Sequence, residues 1–77
     1  MDQSLYEEIL NELEEIQVEF MDEEELMSEY CDDHAIEEIT LELNNKYGIK
    51  INLDWLKIYY MKVDEFIKHV ITLIESK

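Results

Sequence analysis

The sequence predicts an all-α fold, a four-helix bundle of three long helices and one short helix, formed by a single domain that spans residues 1–77. Apolar residues recur every three or four positions in three separate segments, which is the period of an amphipathic helix. The chain has no proline and one glycine, a composition that disfavours a turn-rich β fold. Apolar residues make up 47% of it, too many for a disordered acidic tail.

The first helix is predicted from about Ser4 to Ile16. It opens on Ser4-x-x-Glu7, the pattern of a capping box. Its apolar stripe is Leu5, Ile9, Leu13 and Ile16, and Tyr6 and Leu10 widen it. After it, Val18 and Phe20 alternate with polar residues, so this part is either a short extended piece or a continuation of the helix.

Four consecutive acids, Asp22 to Glu25, predict a solvated loop. A weak divalent-cation site is the alternative, but the run lacks the spaced ligands and the glycine of an EF-hand loop. Leu26, Met27 and Tyr30 are expected to anchor this loop to the core.

The second helix is predicted to begin at Asp32 and Asp33, because a carboxylate there can accept hydrogen bonds from the first free backbone N–H groups. One side of it is apolar: Ile36, Ile39, Leu43 and Tyr47. The opposite side is acidic: Glu37, Glu38 and Glu42. Gly48 follows, where a left-handed C-terminal cap needs no Cβ, and Ile49 and Ile51 then alternate with Lys50 as a short extended leg.

Residues 52–75 form the last part of the chain. In residues 52–62 the aromatic and apolar side chains are expected to fill the core, with an exposed binding edge as the alternative. Those apolar residues are Trp55, Leu56, Ile58, Tyr59 and Tyr60. The last helix is predicted from about Val63 to Glu75, and its stripe is Val63, Phe66, Ile67, Val70, Ile71 and Ile74.

The second helix resembles that of the acyl carrier protein family, which opens with Asp-Ser-Leu, carries an acidic face and ends in an aromatic residue before Gly-Ile-x-Ile. Asp32 matches the aspartate, Glu38 an acidic face position, and Leu43, Tyr47, Gly48, Ile49 and Ile51 the helix end. The resemblance covers nearly the whole chain. It implies the carrier-protein bundle as the fold, with a short third helix in residues 52–62.

The attachment motif departs from that family. The serine that would carry phosphopantetheine falls on Asp33, and the leucine after it falls on His34. Asn52 replaces the usual proline before the third helix, and Lys62 replaces the threonine before the fourth. We therefore expect no phosphopantetheine and no other cofactor.

Other reactive residues do not form a recognisable active site. Asp32, Asp33 and His34 are adjacent and would point in different directions from a helix start, whereas a metal needs convergent ligands. Cys31 is expected to be a buried or half-buried thiol, and Ser28 lacks the attachment context. No nucleophile–base pair or phosphate loop is present, so we predict no metal site and no enzyme activity.

The charge is divided unevenly along the chain. The first 45 residues hold 17 of the 21 acids and no lysine, and all six basic residues are lysines from Lys46 onward. This field would repel nucleic acid and anionic membranes and attract a basic protein surface. No apolar run reaches the roughly 18 residues of a membrane span, and the acidic N-terminus has no apolar leader segment, so a cytoplasmic protein is expected.

Three functions fit this pattern. The first is an acidic carrier-like module without the arm, which binds a basic partner through Asp32, Asp33, Glu37, Glu38 and Glu42; fatty-acid, polyketide and lipid-tailoring enzymes are the partners that the resemblance implies. The second is an acidic decoy that mimics nucleic acid and inhibits a nucleic-acid-binding protein. The third is a carrier protein with a non-standard attachment residue.

Overall fold

The structure, a computed structural model, describes residues 3–77. Within that range the chain forms four α-helices and no strand, so the predicted all-α class is confirmed. The elements in order are α1 Gln3–Gln17, a 3₁₀ turn Met27–Glu29, α2 Asp33–Tyr47, α3 Trp55–Tyr59 and α4 Val63–Glu75.

The three apolar stripes meet in one core. The fully buried residues that the periodicity predicted are Ile9, Leu13, Ile36, Ile39, Leu43, Val63, Phe66, Ile67, Val70 and Ile71. Four stripe residues at or near helix ends, Leu5, Ile16, Tyr47 and Ile74, pack against this core but stay partly exposed. Helical periodicity therefore located the inner faces, and the ends of the stripes lie at the margin of the core.

Several buried side chains lie outside the predicted stripes or in the loops. They are Met21, Met27, Cys31, Ile51 and Ile58. Tyr6, which widens the α1 stripe, is buried as predicted. The expected anchor Met27 is fully buried, whereas Leu26 and Tyr30 are only partly buried. The loops after α1 and after α2 thus each add at least one apolar residue to the core, which compensates for the small size of the domain.

The end of α1 differs from both predicted alternatives. The helix stops at Gln17, and Val18 then takes a left-handed backbone conformation with φ 54°. Val18 and Phe20 are both exposed, at 87% and 79%. Ser4 lies inside α1, which already includes Gln3, so it does not stand before the helix as the capping-box pattern suggested.

The ends of α2 match the prediction. The Asp32 carboxylate accepts a hydrogen bond of 2.8 Å from the Ala35 N–H at the start of the helix. Gly48 is left-handed, with φ 62°, and its N–H donates to the Asn44 carbonyl. Ile51, three residues farther on, is buried.

The acidic loop lies against the beginning of α4. The Val63 N–H donates to the Glu25 carbonyl at 2.9 Å, and the Asp64 N–H donates to the Glu23 carbonyl at 3.0 Å. These bonds satisfy N–H groups that have no partner inside the helix. Three of the four acids, all but Glu23, are exposed, as a solvated loop requires.

Candidate partner-binding surface

The acids predicted to bind a partner form the outer side of α2. All five are exposed: Asp32, Asp33, Glu37, Glu38 and Glu42. Two hold hydrogen bonds at the helix start, since Asp32 caps Ala35 and the Asp33 Oδ1 accepts from the His34 N–H at 2.9 Å. The three glutamates extend along the same side for two further turns.

No lysine in residues 3–77 neutralises this surface. The ion pairs of that region join Lys46 to Glu12, Lys62 to Glu24, and Lys68 to Asp64. Each lysine of these pairs therefore compensates an acid on α1, in the loop or on α4. The negative charges on α2 stay available to a partner.

One apolar residue lies among these acids. Leu41 is 64% exposed, and with His34, Glu37 and Glu38 it lines a shallow depression of about 240 Å³. Leu41 is not among the predicted site residues, although its position two residues after Ile39 places it opposite the buried stripe. The acidic surface thus contains an exposed apolar contact point.

The prediction that the aromatic segment fills the core is wrong for three of its five apolar residues. Trp55, Leu56 and Tyr60 are 39%, 47% and 65% exposed, while Ile58 is fully buried. Tyr59 is partly buried against the core. A helix of five residues turns little more than once, so only one side of α3 can face inward. The structure therefore shows the exposed aromatic edge that was the alternative prediction.

This edge forms a cleft with the start of α2. The cleft measures about 260 Å³ and is lined by Asp32, Asp33, Trp55, Leu56, Tyr59 and Tyr60. Its rings stand nearly perpendicular to one another: Trp55 and Tyr59 have centroids 6.0 Å apart at 76°, and Tyr59 and Tyr60 have centroids 5.1 Å apart at 85°. Acidic and aromatic groups are thus combined in one depression.

The other candidate nucleophiles are poorly placed for chemistry. Cys31 is 4% exposed, and burial, with smaller contributions from Glu19 and Asp32, raises the pKa of its thiol to about 11. It is therefore protonated at neutral pH and a weak nucleophile. Ser28 lies in the 3₁₀ turn, before α2. In residues 3–77, no three His, Cys, Asp or Glu side chains group closely enough to hold a metal ion.

The comparisons with known proteins give no relative. No family model, no curated protein and no solved structure matches the chain. Among residues 3–77, no helix is both long enough and apolar enough to cross a bilayer. The resemblance to acyl carrier proteins stays a prediction based on the quoted motifs.

Proposed function

We propose that this protein is a non-enzymatic, acyl carrier protein-like module that carries no phosphopantetheine and binds a basic partner protein through α2. The observation that supports this most is the exposed acidic surface, Asp32, Asp33, Glu37, Glu38 and Glu42, which no lysine in residues 3–77 neutralises. A fatty-acid, polyketide or lipid-tailoring enzyme is the kind of partner that the family resemblance suggests.

The chemistry of the surface defines how such binding would behave. Exposed charges mainly accelerate association and favour partners whose surface has the opposite charge, and salt screens them. Leu41 and the exposed aromatic edge of α3 add apolar area, which interfaces require at their centre. We therefore expect fast, weak association that loses affinity as salt rises.

The second candidate function is an acidic decoy that occupies a nucleic-acid-binding protein. The distribution of charge favours it, since 17 of the 21 acids lie in the first 45 residues, with no lysine among them. The apolar contacts within the α2 surface favour the first function, because phosphate mimicry needs only charges. A carrier that uses another attachment residue is the third candidate.

Charge reversal on two helices tests the role of α2. One variant carries Glu37→Lys, Glu38→Lys and Glu42→Lys. The matched control carries Glu7→Lys, Glu8→Lys and Glu15→Lys on α1, where these acids are also exposed. Each variant adds the same charge, so the overall field changes equally. Proteins retained by each bait are identified, purified and titrated against the baits at several salt concentrations.

The proposal expects the α2 variant to lose binding to the purified partner and the α1 variant to keep most of it. Equal losses would mean that net charge alone attracts the partner and would contradict a defined α2 surface. Identification of a synthase or a lipid-tailoring enzyme as the partner would support the carrier-like module. Identification of a nucleic-acid-binding protein whose complex with this chain is dissociated by nucleic acid would support the decoy function.

The absent arm has its own test. The wild-type protein is incubated with coenzyme A and a broad-specificity phosphopantetheinyl transferase, and its intact mass is measured. No change is expected, because the Asp33 carboxylate is a poor nucleophile for this transfer and repels the pyrophosphate of coenzyme A. The Asp33→Ser/His34→Leu variant is expected to gain one arm if the surrounding helix is still recognised. A gain on the wild-type protein would contradict the proposal and support the third candidate.

A further inference from the structure

We propose that the cleft between the start of α2 and α3 binds one arginine side chain of the basic partner. This inference rests on the proposed function, because it names the residue by which a basic partner would be recognised. The cleft has a volume of about 260 Å³, and two aspartates and three aromatic residues line it together with Leu56.

The carboxylates provide free acceptors. One oxygen of Asp32 holds the Ala35 N–H, and one oxygen of Asp33 holds the His34 N–H. The second oxygen of each accepts no hydrogen bond from residues 3–77, so both can accept from a bound donor. The positive end of the α2 dipole lies nearby, but it amounts to about half an elementary charge, whereas the two carboxylates contribute two negative charges. The cleft is therefore negative overall.

The aromatic rings favour a cation over a neutral group. Trp55, Tyr59 and Tyr60 form two successive near-perpendicular pairs, at 76° and 85°, so their surfaces make a corner and not a flat patch. A cation within about 6 Å of a ring centroid is attracted by the negative face of the ring, most strongly for tryptophan. Trp55 and Tyr60 remain exposed and can be covered by a partner.

Arginine suits this combination better than lysine. Its guanidinium group is flat, stacks on aromatic faces and donates two parallel hydrogen bonds to a carboxylate. The lysine ammonium is more strongly hydrated and acts as a point charge. A purely apolar side chain would leave the two carboxylates partly desolvated without a partner, which is unfavourable.

A peptide series tests the occupant. The probe is a capped, fluorescently labelled, lysine-rich peptide with one central arginine, and matched peptides carry citrulline, lysine or norleucine at that position. Citrulline keeps the shape and removes the charge. Binding is followed by anisotropy, and in the wild-type protein also by the emission of Trp55, which is the single tryptophan. We expect citrulline to weaken binding about tenfold, with lysine intermediate.

Substitutions in the cleft show whether the preference for arginine over citrulline arises there. Trp55→Leu and Tyr60→Leu should reduce the preference for arginine over citrulline to about twofold or less, and circular dichroism checks their folding. Phe20→Leu, at a residue that is 79% exposed and outside the cleft, should leave the preference unchanged. If both cleft variants failed to fold, the comparison of arginine with citrulline on the wild-type protein would still decide.

The outcomes separate this proposal from the one on which it rests. Equal affinity for arginine and citrulline would overturn the arginine site, and tightest binding of norleucine would assign the cleft to an apolar side chain. A concentration-dependent dimer that buries Trp55, seen by sedimentation, would assign it to a second copy. The Glu37→Lys/Glu38→Lys/Glu42→Lys variant should weaken all peptides equally. If this variant binds every peptide as tightly as the wild-type protein, the proposed role of the acidic surface of α2 is contradicted, whatever the cleft binds.

Discussion

The ends of α1 and α2 have the same backbone geometry but different residues at the decisive position. The residue after each helix is left-handed: Val18, with φ 54°, follows α1, and Gly48, with φ 62°, follows α2. Glycine takes this conformation without steric cost. A β-branched residue there is strained by contacts between its Cβ and the backbone.

The similarity continues beyond the turn. The residue that lies four positions before each turn, Glu14 in α1 and Asn44 in α2, accepts a backbone N–H with its carbonyl at 3.2 Å in both cases. Its side chain accepts a second N–H at 3.0 Å, from Met21 in the first case and from Ile51 in the second. Met21 and Ile51 are both buried.

The difference shows which interactions produce each turn. At Gly48 the local sequence already favours the left-handed cap, so the chain would turn there without help. At Val18 nothing local favours it, and the side chain is 87% exposed. The burial of Met21, three residues on, together with the bond to the Glu14 carboxylate, therefore stabilises the strained turn.

Truncation of Met21 and Ile51, the buried residues that follow the two turns, is expected to have the largest effect on stability. Met21→Ala should lower the free energy of unfolding by about 2–5 kcal/mol, because Met21 is 1% exposed and its loss leaves a cavity. Ile51→Ala should lie near the lower end of that range, since Ile51 is 7% exposed. Urea unfolding measures both.

Phe20 and Lys50, the exposed residues directly before Met21 and Ile51, provide controls. Their alanine variants should change stability by about 0.5 kcal/mol or less. If Met21→Ala cost no more than Phe20→Ala, burial of Met21 would not be what stabilises the turn at Val18.

Placing a valine at the second turn makes the two ends alike. Gly48→Val should cost about 1–2 kcal/mol, the penalty of a left-handed L-residue. A Cβ at this position would lie 3.1 Å from the Lys77 Nζ, and the flexible lysine side chain can move away, so the backbone accounts for most of the cost. Thermal and urea unfolding measure it, and Gly48→Asn should recover part of the loss. An unchanged stability of Gly48→Val would contradict the strain argument.

A side-chain hydrogen bond joins α1 to α4, and its contribution to stability should depend on pH. The Tyr6 hydroxyl donates to the Asp64 carboxylate at 2.6 Å, and this bond, followed by the contribution of Lys68, lowers the pKa of Asp64. The stabilisation is therefore complete above the ordinary carboxyl pKa and is lost as the pH falls through the lower pKa of the folded state.

Tyr6→Phe should lower the free energy of unfolding by about 1–2 kcal/mol at pH 7. The difference from the wild-type protein should shrink as the pH falls and the Asp64 carboxylate becomes protonated. Denaturant titrations across this pH range measure it. A difference that stayed constant with pH would show that the hydroxyl acts only through packing.

The smallest expected effect is a gain. Val18→Gly should stabilise the protein by about 0.5–1 kcal/mol, because relief of about 1–2 kcal/mol of strain exceeds the entropy that glycine adds to the unfolded chain. Phe20→Gly is the matched control, since Phe20 is also exposed and has no left-handed backbone to relieve. It should be neutral or destabilising. A loss of stability in Val18→Gly would mean that the valine side chain has a packing role despite its exposure.

Features that depend on nearest neighbours along the chain could be predicted from the amino-acid sequence. Helical periodicity gave the inner faces of α1, α2 and α4, and the caps at Asp32 and Gly48 followed from side-chain chemistry and from the absence of a Cβ. The acidic surface on α2 was predictable for the same reason, since residues opposite an apolar stripe face outward.

Features that depend on which elements pack together could not be predicted in this way. The exposure of Trp55, Leu56 and Tyr60 follows from how little of a five-residue helix can touch the core, and the burial of Met21 depends on the direction in which the chain leaves α1. The cleft at Asp33 likewise arises from the packing of α3 against the start of α2, residues more than 20 positions apart in sequence. Burial is a property of the assembled surface, so no local pattern specifies it.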